Sequence, residues 1–268
     1  MRTLRLLAPL ASLVLTASSP ISREMALTSP DGFELKGTLT LPEAKEKAPV
    51  VILAHQFGKD RTGWNPLATR LAERGIGTLA LDLRGHGAST RKAGAEVAVS
   101  GDFMASAQTV GFDRIPADLA QTAAWLRTQR DVDGRRIGLA GASVGGFSVL
   151  LAAPEVKPVA VLALSPAGTP VFGADARERL KTSVLRAGAS VLVLASADDK
   201  DAAENALTVK GLPGVAVDMK EGGAHGFAYF SDSADLMAVF FGEYLTYHRT
   251  GQRYAAPAPA PKAADAIK

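Results

Sequence analysis

The sequence predicts an α/β fold: a mostly parallel, doubly wound sheet of eight strands with helices on both faces. Two observations support this prediction. Short, continuously apolar runs of the kind found in strands buried on both faces recur along the chain, and helical patterns separate them. Alternation of strand and helix produces right-handed crossovers, which place helices on both faces of a parallel sheet.

The first predicted element is an antiparallel hairpin within residues 25–41, because Ser29-Pro30-Asp31-Gly32 supplies turn dihedrals between two β-like stretches. Apolar runs then predict buried strands at residues 49–54, 76–81, 137–140, 159–164, 191–195 and 215–219. Helical patterns occupy residues 66–74, 115–130, 143–153, 175–186, 202–210 and 232–247. Residues 85–113 form the longest predicted irregular stretch, and residues 165–175 leave little room for a helical cap. We therefore expect an open cleft with a minimal lid or none.

Composition narrows the classes of protein. The 268 residues, 47% hydrophobic and 21% charged, suit one large globular domain, which we place at residues 24–250. The absence of cysteine excludes disulfides, a thiol nucleophile and thiolate metal sites, and the four histidines lack the spacing of a zinc helix. We expect no metal and no cofactor. The basic pI of 9.2 comes without a cluster of basic and aromatic residues, so we expect no nucleic-acid partner. The oligomeric state stays open.

Both termini differ in composition from the body. Arg2 and Arg5, an apolar stretch over residues 6–15 and small residues before Pro20 predict a signal peptide at residues 1–19. The chain would then be exported to the periplasm or the extracellular space, without a stable membrane span once the signal is removed. A short hydrophobic helix that stays attached is the alternative. Residues 251–268 alternate alanine and proline and predict an extended, disordered tail.

The apolar run at 137–140 leads into Gly141-Ala142-Ser143-Val144-Gly145, the G-x-S-x-G pattern of a nucleophile elbow. A serine on a tight strand-to-helix turn needs glycine two positions before and after it, because a side chain there would collide with the neighbouring strand and helix. Ser143 is therefore the candidate nucleophile.

Together with the elbow, three further segments resemble the α/β-hydrolase family over about residues 25–249. They are His55-Gln56-Phe57-Gly58, residues 82–89 and Gly223-Ala224-His225-Gly226. The compact form is similar to dienelactone hydrolases and to the catalytic domains of prolyl-oligopeptidase-like enzymes.

The resemblance implies a catalytic triad. The base follows the nucleophile in this fold, which leaves His225, flanked by glycines after the last strand, and His248, late in the final helix. We favour His225. The triad acid should follow the strand at 191–195, where the family's pattern favours Asp199 and leaves Asp198 as the competitor. The other aspartate is expected to cap the following helix, for which Asp201 is a further candidate.

The oxyanion hole requires two backbone amides aimed at the developing negative charge. We expect the Val144 amide to provide one, and the Phe57 amide the other, with Gln56 as the alternative because the family often has glycine at that position. His55 and the polar turn that contains His86 are interpreted as structural.

These residues predict an exported serine hydrolase that cleaves a carboxylic ester of a small-molecule acyl substrate through an acyl-enzyme. A lactone hydrolase or a peptidase would use the same triad, since a fold does not determine the scissile bond. A non-catalytic binding protein on the same scaffold is the alternative from another class. A nucleotide-binding oxidoreductase is disfavoured because the glycines of residues 138–146 do not match G-x-G-x-x-G.

Overall fold

The structure is a computed structural model that describes residues 20–43 and 46–246. Its strands are β1 (Ile21–Thr28), β2 (Glu34–Leu41), β3 (Ala48–Ala54), β4 (Gly77–Asp82), β5 (Arg91–Lys92), β6 (Ala95–Glu96), β7 (Val132–Ala142), β8 (Ala160–Leu164), β9 (Ser190–Ser196) and β10 (Val215–Lys220). Its α-helices are α1 (Asn65–Ala72), α2 (Phe103–Val110), α3 (Ile115–Arg127), α4 (Val144–Val156), α5 (Ala176–Ala187), α6 (Lys200–Val209) and α7 (Phe230–Thr246). Short 3-10 helices occupy Arg61–Trp64, Phe112–Arg114, Thr169–Phe172 and Gly226–Tyr229.

The main sheet has eight strands in the order β1-β2-β4-β3-β7-β8-β9-β10. β2 pairs antiparallel with both β1 and β4, and the remaining pairs are parallel. The predicted mostly parallel sheet with an N-terminal hairpin is confirmed. Gly141 is in register with Ala54 of β3 and Ala163 of β8, so the carboxyl ends of these three strands lie level with one another. In doubly wound sheets, ligands bind at this edge.

Alternating side chains of the central strands fill two cores, one on each face of the sheet. Along β3, Val50 and Ile52 belong to the core beneath α3, α4, α5 and α6, and Val51 and Leu53 belong to the core beneath α1 and α7. Every residue of β3 is buried, because helices cover both faces of a parallel sheet. We call these two sides the α3/α4 face and the α1/α7 face.

The prediction that residues 85–113 are irregular was wrong, because this segment contains the β5–β6 hairpin and the eight-residue helix α2. Asp102 caps α2 by accepting a hydrogen bond from the Ala105 amide at 2.7 Å, and Gly111 ends it in the left-handed region with φ of 81°. These end signals are visible in the sequence. The helix is too short to show a clear apolar period.

Among the residues that the structure describes, no large cap covers the strand ends, because residues 165–175 contain only the 3-10 helix Thr169–Phe172. Within the described ranges, no helix is long and apolar enough to cross a membrane. The predicted signal peptide at 1–19, the tail at 251–268 and His248 lie outside the described residues, so those assignments and the domain limits stay predictions.

Candidate active site

Ser143 lies at the turn between β7 and α4, with φ of 55° and ψ of −121°. Positive φ is rare for a residue other than glycine and costs of order 1–3 kcal/mol, which the surrounding structure must offset. The Ser143 amide donates to the Leu164 carbonyl at 2.8 Å, and its carbonyl accepts from the Ala167 amide at 3.2 Å. The serine is thereby held at the carboxyl end of the sheet.

The flanking glycines are required because backbone atoms approach them closely. A Cβ on Gly141 would lie 2.7 Å from the Gly146 nitrogen in α4, and a Cβ on Gly145 would lie 2.6 Å from the His55 carbonyl oxygen beyond β3. Both distances are shorter than real Cβ contacts. The G-x-S-x-G pattern therefore has the steric origin expected from the sequence.

His225 and Asp199 are in direct contact, with 2.6 Å between His225 Nδ1 and Asp199 Oδ2. Because an ionised carboxylate only accepts hydrogen bonds, Nδ1 carries the proton and Nε2 is left as the basic nitrogen. Asp199 follows β9 and His225 follows β10, so the ends of two adjacent parallel strands bring them together. Asp198 is exposed and does not hydrogen-bond His225.

The structure does not join Ser143 Oγ to His225 by a hydrogen bond within the described residues, but the segments that carry them both bond the loop after β8, through Ala167 and Ser165. Ser165, directly after β8, accepts a hydrogen bond from the Gly226 amide at 3.1 Å. β8 is the immediate neighbour of β7, which carries Ser143. In unliganded enzymes catalytic hydrogen bonds are often long and tighten when substrate binds.

Three side chains hold the backbone around His225, two from loops that follow strands and one from the 3-10 helix Gly226–Tyr229. Besides Ser165, Gln56 Oε1 accepts from the Phe227 amide at 2.8 Å. Tyr229 donates its hydroxyl to the Ala224 carbonyl at 3.1 Å and hydrogen-bonds Ser196 Oγ at 2.8 Å. The sequence did not predict the roles of Gln56 and Tyr229, and only the departure from the family's usual glycine at 56 marked that position.

The loop after β3 holds two candidate amides for the second donor of the oxyanion hole, those of Gln56 and Phe57. The Gly58 amide donates to His86 Nε2 at 3.2 Å, and the Lys59 amide donates to the Gln56 carbonyl at 3.2 Å. Neither the Gln56 amide nor the Phe57 amide donates to an acceptor in the described part of the chain, so Gln56 stays the alternative to Phe57. Val144 is the first residue of α4, where an amide has no acceptor within the helix. The Val144 amide and one of the two loop amides can therefore donate to the same oxyanion, and the preference for Phe57 stays a prediction.

The other two described histidines brace this loop. His55 Nε2 accepts from the Leu83 amide at 2.9 Å, and its Nδ1 donates to the Gln56 carbonyl at 2.8 Å. Burial, and then the neighbouring His86, lower the pKa of His55 to about 3, so its ring is neutral. Burial also lowers the pKa of His86, which keeps Nε2 available to accept from Gly58.

The polar turn after β4 is held by its own hydrogen bonds. Asp82 accepts from the amides of Arg61 and Ala88, each at 2.9 Å, and Ser89 donates to the Asp82 carbonyl at 2.7 Å. Arg84 is buried and forms a two-pronged contact with Asp118, at 2.7 and 2.8 Å. These contacts fix the loop and give these residues a structural role.

Asp201 does not cap its own helix. Its Oδ2 accepts from the amides of Gly168 and Thr169, at 2.7 and 3.1 Å, and so fixes the start of the 3-10 helix after β8. Among residues 20–43 and 46–246, no group of histidines and acidic residues could hold a metal ion.

Several solved structures share this fold. The chain is similar to 2,6-dihydroxy-pseudo-oxynicotine hydrolase, with a TM-score of 0.65 and 14% identity over 89% of this chain and 71% of that one. It is also similar to acetyl xylan esterase 1 from Thermoanaerobacterium sp. (TM-score 0.62, 18% identity, 86% of each chain) and to dienelactone hydrolase from Anabaena variabilis (TM-score 0.59, 18% identity, 84% and 99%). At these identities the likeness establishes the α/β-hydrolase fold alone.

The family is defined by sequence. A family model described as serine aminopeptidase, S33, matches residues 45–203, more than half of the chain, and the chain belongs to this family of α/β-hydrolases. The matched region includes Ser143 and Asp199 and ends before His225.

Two groups of curated relatives are uncharacterized proteins. One, from Escherichia coli, is a 31.7 kDa protein encoded in the traX-finO intergenic region, 33% identical over 46% of this chain and 38% of its own length. Another, from Mycobacterium tuberculosis, is 27% identical over 59% of this chain and 51% of its own length. The chain thus spans about half or less of the curated relatives it matches.

Proposed function

We propose that this protein is a serine hydrolase that cleaves carboxylic esters through a covalent acyl-enzyme. The observation that carries the proposal is the 2.6 Å contact between His225 Nδ1 and Asp199, at the same edge of the sheet as the nucleophile elbow. A free serine hydroxyl is a weak nucleophile, and a histidine oriented by a carboxylate supplies the base it needs.

In the proposed reaction, Ser143 Oγ attacks the ester carbonyl carbon while His225 Nε2 takes the hydroxyl proton. Asp199 stabilises the imidazolium that forms, and the amides of Val144 and Phe57 donate to the oxyanion. The intermediate collapses as His225 gives its proton to the departing alcohol. Water, activated by the same histidine, then hydrolyses the acyl-enzyme and releases the carboxylic acid.

The names of similar proteins suggest three scissile bonds, and of these we propose the ester rather than the lactone or the peptide amide. One structural relative is named as an esterase and another as a dienelactone hydrolase, which makes lactones the nearest alternative. The family model carries the description of an aminopeptidase, which makes an amino-terminal amide the second one. We also propose a small-molecule acyl substrate and an exported location, as expected from the sequence.

The test compares Ser143→Ala with Ser148→Ala in the full chain. Ser148 is a matched control because it lies on α4, the helix that follows Ser143, is buried, and has a hydroxyl without a hydrogen-bond partner among the described residues. On p-nitrophenyl acetate we expect Ser143→Ala to lose about 10⁴-fold or more in kcat, and Ser148→Ala to stay within a small factor of the unmodified protein.

A fluorophosphonate probe should label the unmodified protein and Ser148→Ala but not Ser143→Ala. Labelling or turnover that survives in Ser143→Ala contradicts the proposal. A lactone and an aminoacyl p-nitroanilide, assayed in parallel, decide the scissile bond. A protein that is folded but neither labelled nor active on any of the three substrates is the non-catalytic binding protein instead.

A further inference from the structure

The candidate site lies across the edge of the sheet, with different groups on its two sides. The residues that follow His225, including Phe227 and Tyr229, pack into the core of the α1/α7 face. Phe57, Phe103 and Val144 pack into the core of the α3/α4 face. Gln56 and Phe57 divide in the same way, because the Gln56 side chain bonds Phe227 while the Phe57 ring packs against Phe103.

We consider an ester bound with its carbonyl oxygen between the amides of Phe57 and Val144. The different residues on the two faces then determine the direction of its alcohol and of its acyl group. The departing alcohol oxygen must receive a proton from His225, so it lies toward the α1/α7 face. The acyl group leaves the carbonyl carbon in another direction, away from the alcohol. The apolar side chains available to it on the side away from His225 are those of Phe57 and Phe103, on the α3/α4 face.

Phe103 closes this side of the site. Its ring meets that of Phe57 edge to face, with 5.3 Å between centroids and an interplanar angle of 83°. The ring tip, Cζ, lies 3.3 Å from the point a Cβ on Gly168 would occupy, and the same point is 3.7 Å from Val144 Cγ2. Phe103 thus spans the gap between the loop after β3 and the loop after β8, and Val144, the residue that follows Ser143, borders the same point on Gly168.

Both ends of this span are fixed. Phe103 is the first residue of α2, whose start is capped by Asp102, and its ring is only partly exposed. Gly168 is held by Asp201, which accepts from its amide at 2.7 Å. The capped helix and the contact between two partly buried aromatic rings therefore keep this wall in place.

We infer that Phe57, Phe103 and Gly168 form an acyl subsite that admits short, apolar acyl groups, so that the substrates are esters of short-chain carboxylic acids with the alcohol on the His225 side. This inference rests on the proposed ester hydrolysis. It adds that the site selects its substrates by the length of their acyl group. Bulkier acyl chains are excluded by the Phe103 ring.

The test measures kcat/KM for p-nitrophenyl acetate, butyrate, hexanoate and octanoate with the unmodified full chain, Phe103→Ala and Met104→Ala. Met104 is the matched control because it is the next residue of α2 and is 40% exposed. We expect kcat/KM of the unmodified protein to fall by at least about tenfold from acetate to octanoate. Phe103→Ala should raise the octanoate-to-acetate ratio by about tenfold or more, and Met104→Ala should leave that ratio unchanged.

A second series keeps the acetyl group and enlarges the alcohol from phenol to naphthol, where Phe103→Ala should leave the relative rates unchanged. Phe103→Leu, a smaller change in core volume, provides the intermediate ratio and replaces the alanine variant if that variant does not fold. An unchanged chain-length ratio, or a change confined to the alcohol series, overturns the inference. Failure of the proposed function is a different result, namely no turnover of any ester that depends on Ser143.

Discussion

Replacing Gln56 with methionine removes the hydrogen bond between the loop after β3 and the loop that carries His225. Gln56 Oε1 accepts from the Phe227 amide at 2.8 Å. Its carboxamide also lies against Gly226, where an added Cβ would be 2.8 Å from Gln56 Cδ. Methionine has a similar length but no strong acceptor, so this change removes the bond and keeps most of the packing.

The expected effect on stability is small and the expected effect on turnover is larger. One neutral hydrogen bond contributes about 0.5–1.5 kcal/mol to the free energy of unfolding. A displacement of about 1 Å in a catalytic group can cost about 100-fold in rate. Because Ser165 and Tyr229 still hold the neighbouring backbone, we expect a smaller loss, of about tenfold in kcat, with KM nearly unchanged.

Steady-state hydrolysis of p-nitrophenyl acetate, with thermal unfolding in parallel, measures both effects. Gln56→Glu is the matched control, because its carboxylate can still accept from Phe227 and should retain most of kcat. The reasoning is refuted if Gln56→Met keeps full kcat. It is also refuted if both variants lose kcat equally, since the loss would then not depend on the acceptor.

Other residues give independent tests. Asp199→Asn should lower kcat by about 10⁴-fold while exposed Asp198→Asn remains active, and the reverse result in the same ester assay would make Asp198 the triad acid. Arg84→Met leaves Asp118 buried without its two hydrogen bonds, so the free energy of unfolding in urea should fall by about 3–5 kcal/mol; a loss below about 1 kcal/mol would contradict this. The lowered pKa of His55, about 3 against an ordinary 6.5, means that the unfolded chain binds more protons between these values. His55 should therefore reduce the free energy of unfolding by up to roughly 1.4 kcal/mol per unit as pH falls through this window, and His55→Gln should show a shallower dependence in urea titrations at several pH values.

Local patterns predicted most of the secondary structure because they carry their own signals. The strand at 191–195 is an uninterrupted apolar run, and it appears as β9 at Ser190–Ser196. The helix at 115–130 has a clear apolar period, and it appears as α3 at Ile115–Arg127. Helix α2 was missed because eight residues with only Ser106, Ala107 and Val110 buried give little periodicity.

The roles of polar residues were harder to assign, because a hydrogen bond between distant segments leaves no pattern in the sequence. Gln56 and Phe227 are 171 positions apart and meet only when the ends of β3 and β10 are brought to the same edge. Asp201 looked like a helix cap, yet it bonds a loop 33 positions earlier, at Gly168. A single sequence shows which groups can bond and does not show which of them become neighbours.

The sequence by itself determined the doubly wound sheet and the position of the elbow serine, because apolar runs, helical periods and obligatory glycines act over a few residues. Only the tertiary structure decided which of two adjacent aspartates contacts His225, and that Gln56 and Phe103 border the site on opposite faces. Asp198 and Asp199 have the same chemistry and nearly the same position in the chain. The packing of β9 beside β10 leaves one exposed to solvent and sets the other 2.6 Å from the histidine.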